Sequence, residues 1–204
     1  HLLFLLKAMA GVKVVQRRAK VLPSRLVTAS NQIPDSHCSN EIRIIAIGAS
    51  TGGPQAIQEI LNNLSFKSLH KYLPPVVIVQ HITPGFETGL AAWLNLTSIL
   101  PVRLAENNVT LQPNVVYIAP AKMHVEVTRD QRIILIPGPV EHGVCPSVSR
   151  FFRSVLTAYG RNAVGVLLSG MGVDGAVELK TLRDCGAVTI AQNKDTSVVH
   201  GMPG

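Results

Sequence analysis

Cysteine is scarce. Three residues, Cys38, Cys145 and Cys185, lie far apart in 204 and are odd in number, which excludes a disulfide framework and fits a reducing compartment, with cytoplasm the expected location. Long apolar runs are missing too: none approaches the roughly 20 residues that span a bilayer. The opening HLLFLLKAMA lacks the charged leader and cleavage pattern of a secretory signal, so the chain is not expected to be membrane-embedded. Aromatic residues make up only 4% and are not interleaved with Lys and Arg, which argues against a nucleic-acid surface. Metal-ligand patterns are incomplete. His142-x-x-Cys145 and His37-Cys38 have the right residue types, but no second pair completes a zinc site, and neither a metal nor a cofactor is expected.

What charge there is lies unevenly. The formal net charge is +7. Residues 1–40 hold six basic side chains (Lys7, Lys13, Arg17, Arg18, Lys20, Arg25) against Asp35, whereas residues 41–204 carry 13 basic and 11 acidic groups and are nearly balanced. The first 20 residues alternate leucine-rich and basic positions, as one short helix would. Residues 21–40 turn polar, with Pro23, Pro34 and several serines, and read as a linker. Because the first residue is His and not Met, residues 1–40 are read as a basic linker or the tail of a preceding domain.

With 47% hydrophobic residues, the remainder can bury one substantial core. From residue 41, apolar strand candidates alternate with helical segments, the pattern of a doubly wound α/β fold with helices on both faces of a mostly parallel sheet. Strands are expected at Ile42–Ile47, Val76–Val79, Val102–Ala105, Val115–Ala119, Ala163–Leu168 and Ala187–Ala191. Helices are expected at Pro54–Leu64, at Glu87–Leu96, from Ser147 to about Tyr159, and up to Cys185, where Gly186 breaks the helix. His124–Thr128 and Arg132–Ile136 flank Arg129-Asp130-Gln131 as one antiparallel hairpin.

The chain is organised around Ile44 to Pro54, a β-branched strand ending in Gly48-Ala49-Ser50-Thr51-Gly52-Gly53-Pro54. Ser50 would sit at the lip of the sheet beside free helix amides, a good place for a nucleophile or an anion. Two more strands end in chemistry-bearing residues, His81 and Asp174, and ligands of open α/β sheets gather at the carboxyl ends of strands. Serine, histidine and aspartate are the residue types of a triad: attacking hydroxyl, proton carrier and orienting carboxylate. Main-chain amides near Ser50 or Met171 would supply an oxyanion site.

Each residue also has a plainer role. Ser50 and Asp174 could be helix caps and His81 an ordinary half-buried histidine. The same turn also admits a non-enzymatic module that binds an anion or protein. A nicotinamide-dependent enzyme is disfavoured, because the second strand ends in Gln80-His81 and not in an acidic residue. An ordinary lipase-like hydrolase is disfavoured by the order Ser, His, Asp where those enzymes run Ser, Asp, His.

Ile47 to Pro54, Val79-Gln80-His81 through Pro84-Gly85-Phe86, and Ser169 to Ala176 together resemble the catalytic domain of the chemotaxis receptor methylesterases, the CheB family. The resemblance covers about residues 41–204 and includes Ala119-Pro120-Ala121, Pro146-Ser147-Val148, Ala191-Gln192 and Gly201-Met202-Pro203. It implies that Ser50, His81 and Asp174 are the triad, with Thr51 and Met171 in supporting positions. It further implies hydrolysis of glutamate γ-methyl esters on the cytoplasmic domain of chemoreceptors, deamidation of receptor glutamines, and an N-terminal receiver domain joined through residues 1–40. Two departures stand out: His81-Ile82-Thr83-Pro84 replaces the family's His-Met-Pro, and the closing segment expected after Met202-Pro203 is absent, as in a C-terminally truncated domain.

Overall fold

Six short segments rich in Val, Ile and Ala, almost free of charge, form a single parallel sheet, because strands covered on both faces have no side left for polar residues. The computed structural model describes residues 41–64 and 73–204; the expected helix and linker over residues 1–40 lie outside them. In chain order the sheet strands are β1 (Ile44–Ala49), β2 (Val76–Gln80), β3 (Val102–Leu104), β4 (Val116–Ile118), β7 (Ala163–Leu167) and β8 (Val188–Ala191). Their spatial order is β3-β4-β2-β1-β7-β8, and every neighbouring pair is parallel. β5 (His124–Val127) and β6 (Ile133–Ile136) form the separate antiparallel hairpin, with register Val125 to Leu135.

Side chains alternate across the sheet, so each strand feeds two cores. On one face, Ile45, Ile47, Val76, Ile78, Val164 and Val166 pack with helices α1 (Gly53–Asn63) and α2 (Glu87–Thr97). Helix α1 buries Ile57, Ile60 and Leu61, the i, i+3, i+4 set of one helical face. On the other face, Ile44, Ala46, Val77, Val79 and Leu167 meet α3 (Val148–Tyr159), α4 (Ala176–Asp184) and the hairpin. Helix α3 buries Phe151, Phe152, Val155 and Tyr159. Among the described residues no helix is long and apolar enough to cross a membrane.

The expected fold is therefore the observed one, with strand and helix ends moved by a residue or two; Pro54 sits in the first turn of α1, which starts at Gly53. Strand order also locates a site. From β1 the chain proceeds through β2 toward one edge, whereas β7 lies on the other side of β1 and leads on to β8. The crevice at the carboxyl ends of β1 and β7 is thus the topological switch point, where open α/β sheets bind ligands.

Candidate active site

Ser50, His81 and Asp174 follow the carboxyl ends of β1, β2 and β7 respectively, so three neighbouring strands deliver them to one edge of the sheet. The ladder continues into the loops: the His81 amide donates to the Ala49 carbonyl at 2.9 Å, and the Ser50 amide to the Ser169 carbonyl at 3.0 Å. The backbones of all three loops are therefore fixed relative to one another before any side chain acts.

His81 Nε2 lies 2.9 Å from Asp174 Oδ2. Only 12% of the histidine side chain and 4% of the aspartate side chain are exposed, so water screens the contact weakly. Asp174 is held from a second direction. The amides of Val148 and Ser149, the first two residues of α3, donate to its carboxylate at 2.6 and 2.9 Å, and Ser147 Oγ donates at 3.0 Å. Burial alone would push this carboxyl up; the hydrogen bonds from His81, Ser149 and the Val148 amide outweigh it and hold Asp174 well below the usual carboxylate range. An ionised carboxylate only accepts, so Nε2 carries the ring proton and the lone pair of neutral His81 is at Nδ1.

Neither local cap considered from the sequence is found. The N-cap of α1 is Gly52 and that of α4 is Gly175, both without a side-chain cap. Asp174 does serve as a cap, but for the amides of α3 and not for the helix that follows it. Ser147, the N-cap of α3, accepts from the Arg150 amide at 3.2 Å while donating to Asp174. Its own amide donates to Nδ1 of buried His124 at 3.2 Å, and His124 Nε2 donates to the Pro139 carbonyl at 2.9 Å. Ser147 and His124 are thus a layer of the site behind Asp174 that sequence reasoning missed. Their signal, a serine opening a helix and a histidine opening a strand, is common to any α/β chain.

On the other flank of Ser50, Ser169 Oγ donates to the Thr51 carbonyl at 2.7 Å and accepts from the Val199 amide at 2.9 Å. Gly170 allows this approach, since a Cβ there would stand 2.6 Å from Ser50 Cβ. The Gly170 amide and carbonyl are bound in turn by the Val199 carbonyl and the Met202 amide, both at 2.9 Å. Thr51 is exposed, and so is the side chain of Met171. Their amides, like Ser50 Oγ and His81 Nδ1, make no hydrogen bond among the described residues. Gly48-Ala49-Ser50-Thr51-Gly52 spans strand, turn and helix start with the Gly-x-Ser-x-Gly spacing of a nucleophile elbow; the chain order Ser, His, Asp separates it from α/β-hydrolases. Among the described residues no three His, Cys, Asp or Glu side chains cluster as a metal site requires.

Comparison with known proteins gives the family. The family model for CheB methylesterase matches residues 45–204. A protein-glutamate methylesterase/protein-glutamine glutaminase of Syntrophus aciditrophicus is 46% identical over 199 residues, covering 97% of this chain and 56% of that protein. One from Geobacter metallireducens is 48% identical over 203 residues, again covering 97% of this chain and 56% of the relative. The chain thus spans about half the length of the curated relatives it matches. The crystal structure of the Thermotoga maritima CheB methylesterase catalytic domain superposes with a TM-score of 0.73 at 34% identity, covering 80% of this chain and 86% of that one. A family match over most of the chain, relatives near half identity and a shared fold together establish that the chain belongs to the CheB methylesterase family.

Proposed function

We propose that the chain is a serine hydrolase that removes γ-methyl esters from protein glutamates and deamidates protein glutamines, acting on the cytoplasmic domain of chemoreceptors in chemotaxis adaptation. The observation that carries this reading is the 2.9 Å hydrogen bond between His81 and Asp174 beside Ser50, at the switch point of a CheB-family sheet. Ser50 is the nucleophile. His81 Nδ1 takes the Oγ proton as Oγ bonds to the ester carbonyl carbon, and the carbonyl π electrons move onto oxygen. The amides of Thr51 and Met171, which make no hydrogen bond among the described residues, receive that oxyanion, a donor of this kind contributing roughly 3–4 kcal/mol. Collapse of the intermediate breaks the bond to the methoxy group, which leaves as methanol with the proton from Nδ1. Water then loses a proton to Nδ1 and attacks the acyl-enzyme, releasing a glutamate carboxylate and restoring the Ser50 hydroxyl. Glutamine follows the same course with ammonia as the leaving group. Asp174 holds the Nε2–H tautomer throughout and stabilises the imidazolium.

Residues 41–204 are the catalytic domain in this reading, and residues 1–40 the linker to a receiver domain in a longer cytoplasmic protein; the greater length of the relatives supports this. The test is methanol release from methylated chemoreceptor membranes. Ser50→Ala is expected to lower kcat by about 10⁴-fold or more while far-ultraviolet circular dichroism is unchanged. A folded Ser50→Ala protein that still releases methanol at the wild-type rate would sink the assignment.

A further inference from the structure

We infer that Gln80 is a positioning residue that locks the Ser50 turn to the His81 loop and sets the direction of the Thr51 amide; the inference rests on the roles of Ser50, His81 and Thr51 proposed above. Gln80 ends β2 and is only 2% exposed. Both hydrogens of its single amide nitrogen are used, one on the Ser50 carbonyl at 2.9 Å and one on the His81 carbonyl at 2.8 Å. Two carbonyl acceptors also fix the orientation of the group, because turning the amide over would set Oε1 against two oxygens.

The Ser50 carbonyl accepts a second bond, from the Gly53 amide at 2.8 Å, so it is held from two sides. In a trans peptide the C=O and the following N–H point in opposite directions. Binding the Ser50 oxygen therefore aims the Thr51 N–H away from Gln80. The carbonyl at the far side of Thr51 is held by Ser169 Oγ at 2.7 Å, so the residue is clamped at both ends.

Gln80 Oε1 is buried and makes no hydrogen bond among the described residues. It occupies the space that a Gly53 side chain would fill, at the first turn of α1, where the helix dipole favours an oxygen. An apolar side chain of the same shape would fill this space without burying an unbonded oxygen. What the amide adds, and an apolar side chain would not, is the pair of donated bonds to Ser50 and His81.

The test uses the whole chain with two readouts, methanol release from methylated receptor membranes and the rate at which a fluorophosphonate ester labels Ser50. Gln80→Met keeps the length and loses both donors. It is expected to lower kcat about 10²-fold with KM within about threefold, and to slow labelling in parallel. Gln80→Glu donates one bond when protonated and none when ionised, so its kcat relative to wild type is expected to fall as pH rises, which a role in packing alone would not produce. Values of kcat and labelling within about threefold of wild type in both variants overturn the inference. So does failure of both to fold, which would assign Gln80 to the fold and not to the site. A wild type that is labelled but does not release methanol removes the proposed substrate, while the labelling series still decides on Gln80. A wild type inert to both removes the nucleophile and this inference with it.

Discussion

Four donors converge on Asp174: His81 Nε2, Ser147 Oγ and the amides of Val148 and Ser149. A carboxylate has about four acceptor positions, so the group is saturated, and one hydrogen bond of the set is spent on orienting the imidazole. Asp174→Asn keeps the shape but replaces one acceptor oxygen with a donor facing donors. It is expected to cost roughly 1–3 kcal/mol of stability and about 10⁴-fold in kcat, read from urea unfolding and methanol release. The acid behaviour follows from the lowered pKa. The folded protein keeps Asp174 ionised to lower pH than the unfolded chain does, so below the ordinary value of 3.8 the unfolded state binds the proton first. The carboxylate's contribution is therefore full above that value and is lost as pH falls toward the folded-state value. Unfolding of Asp174→Asn between about pH 4 and pH 2 is expected to be less steep in pH than that of the wild type.

At the scale of elements, α3 links the core on one face of the sheet to the site. Its apolar stripe fills the core beneath the sheet, and its N-terminal amides reach the aspartate at the sheet edge. Ser147→Ala removes both the cap on Arg150 and the donor to Asp174, and is expected to lower stability by about 1 kcal/mol, measured as a shift in the urea midpoint. This linkage marks where the sequence stopped being legible. The strands and helices could be read because β-branched runs, the Ile57, Ile60 and Leu61 spacing and the Pro146-Ser147 and Gly186 signals act locally. Ser50, His81 and Asp174 could be singled out because each lies in the segment that follows an apolar run. What could not be read is contact between elements: that Asp174 caps α3, that Gln80 binds two carbonyls, or that Ser169 holds Thr51. Serine, glutamine and histidine make such bonds wherever the fold brings an acceptor within reach, and strand order decides that.

For the molecule as a whole, the sheet separates two apolar layers that carry stability independently of the site. Phe151 and Phe152 are fully buried on the α3 side, their ring centroids 5.8 Å apart. Phe152→Ala is expected to cost roughly 3–5 kcal/mol, read from urea unfolding with an unchanged slope. The same strand order also has a bearing on time. β1 lies between β2 and β7, and the partners His81 and Asp174 are 93 residues apart in the chain. During synthesis β1 and β2 emerge together, but the edge of β1 that β7 will cover stays open until residues 163–167 follow. The nascent half-sheet is a sticky, uncapped strand edge, vulnerable to pairing with another copy, and it holds a serine with no aspartate yet made to direct its histidine. β7 and the loop that follows it thus cover the open edge of β1 and bring Asp174 to the triad in one step.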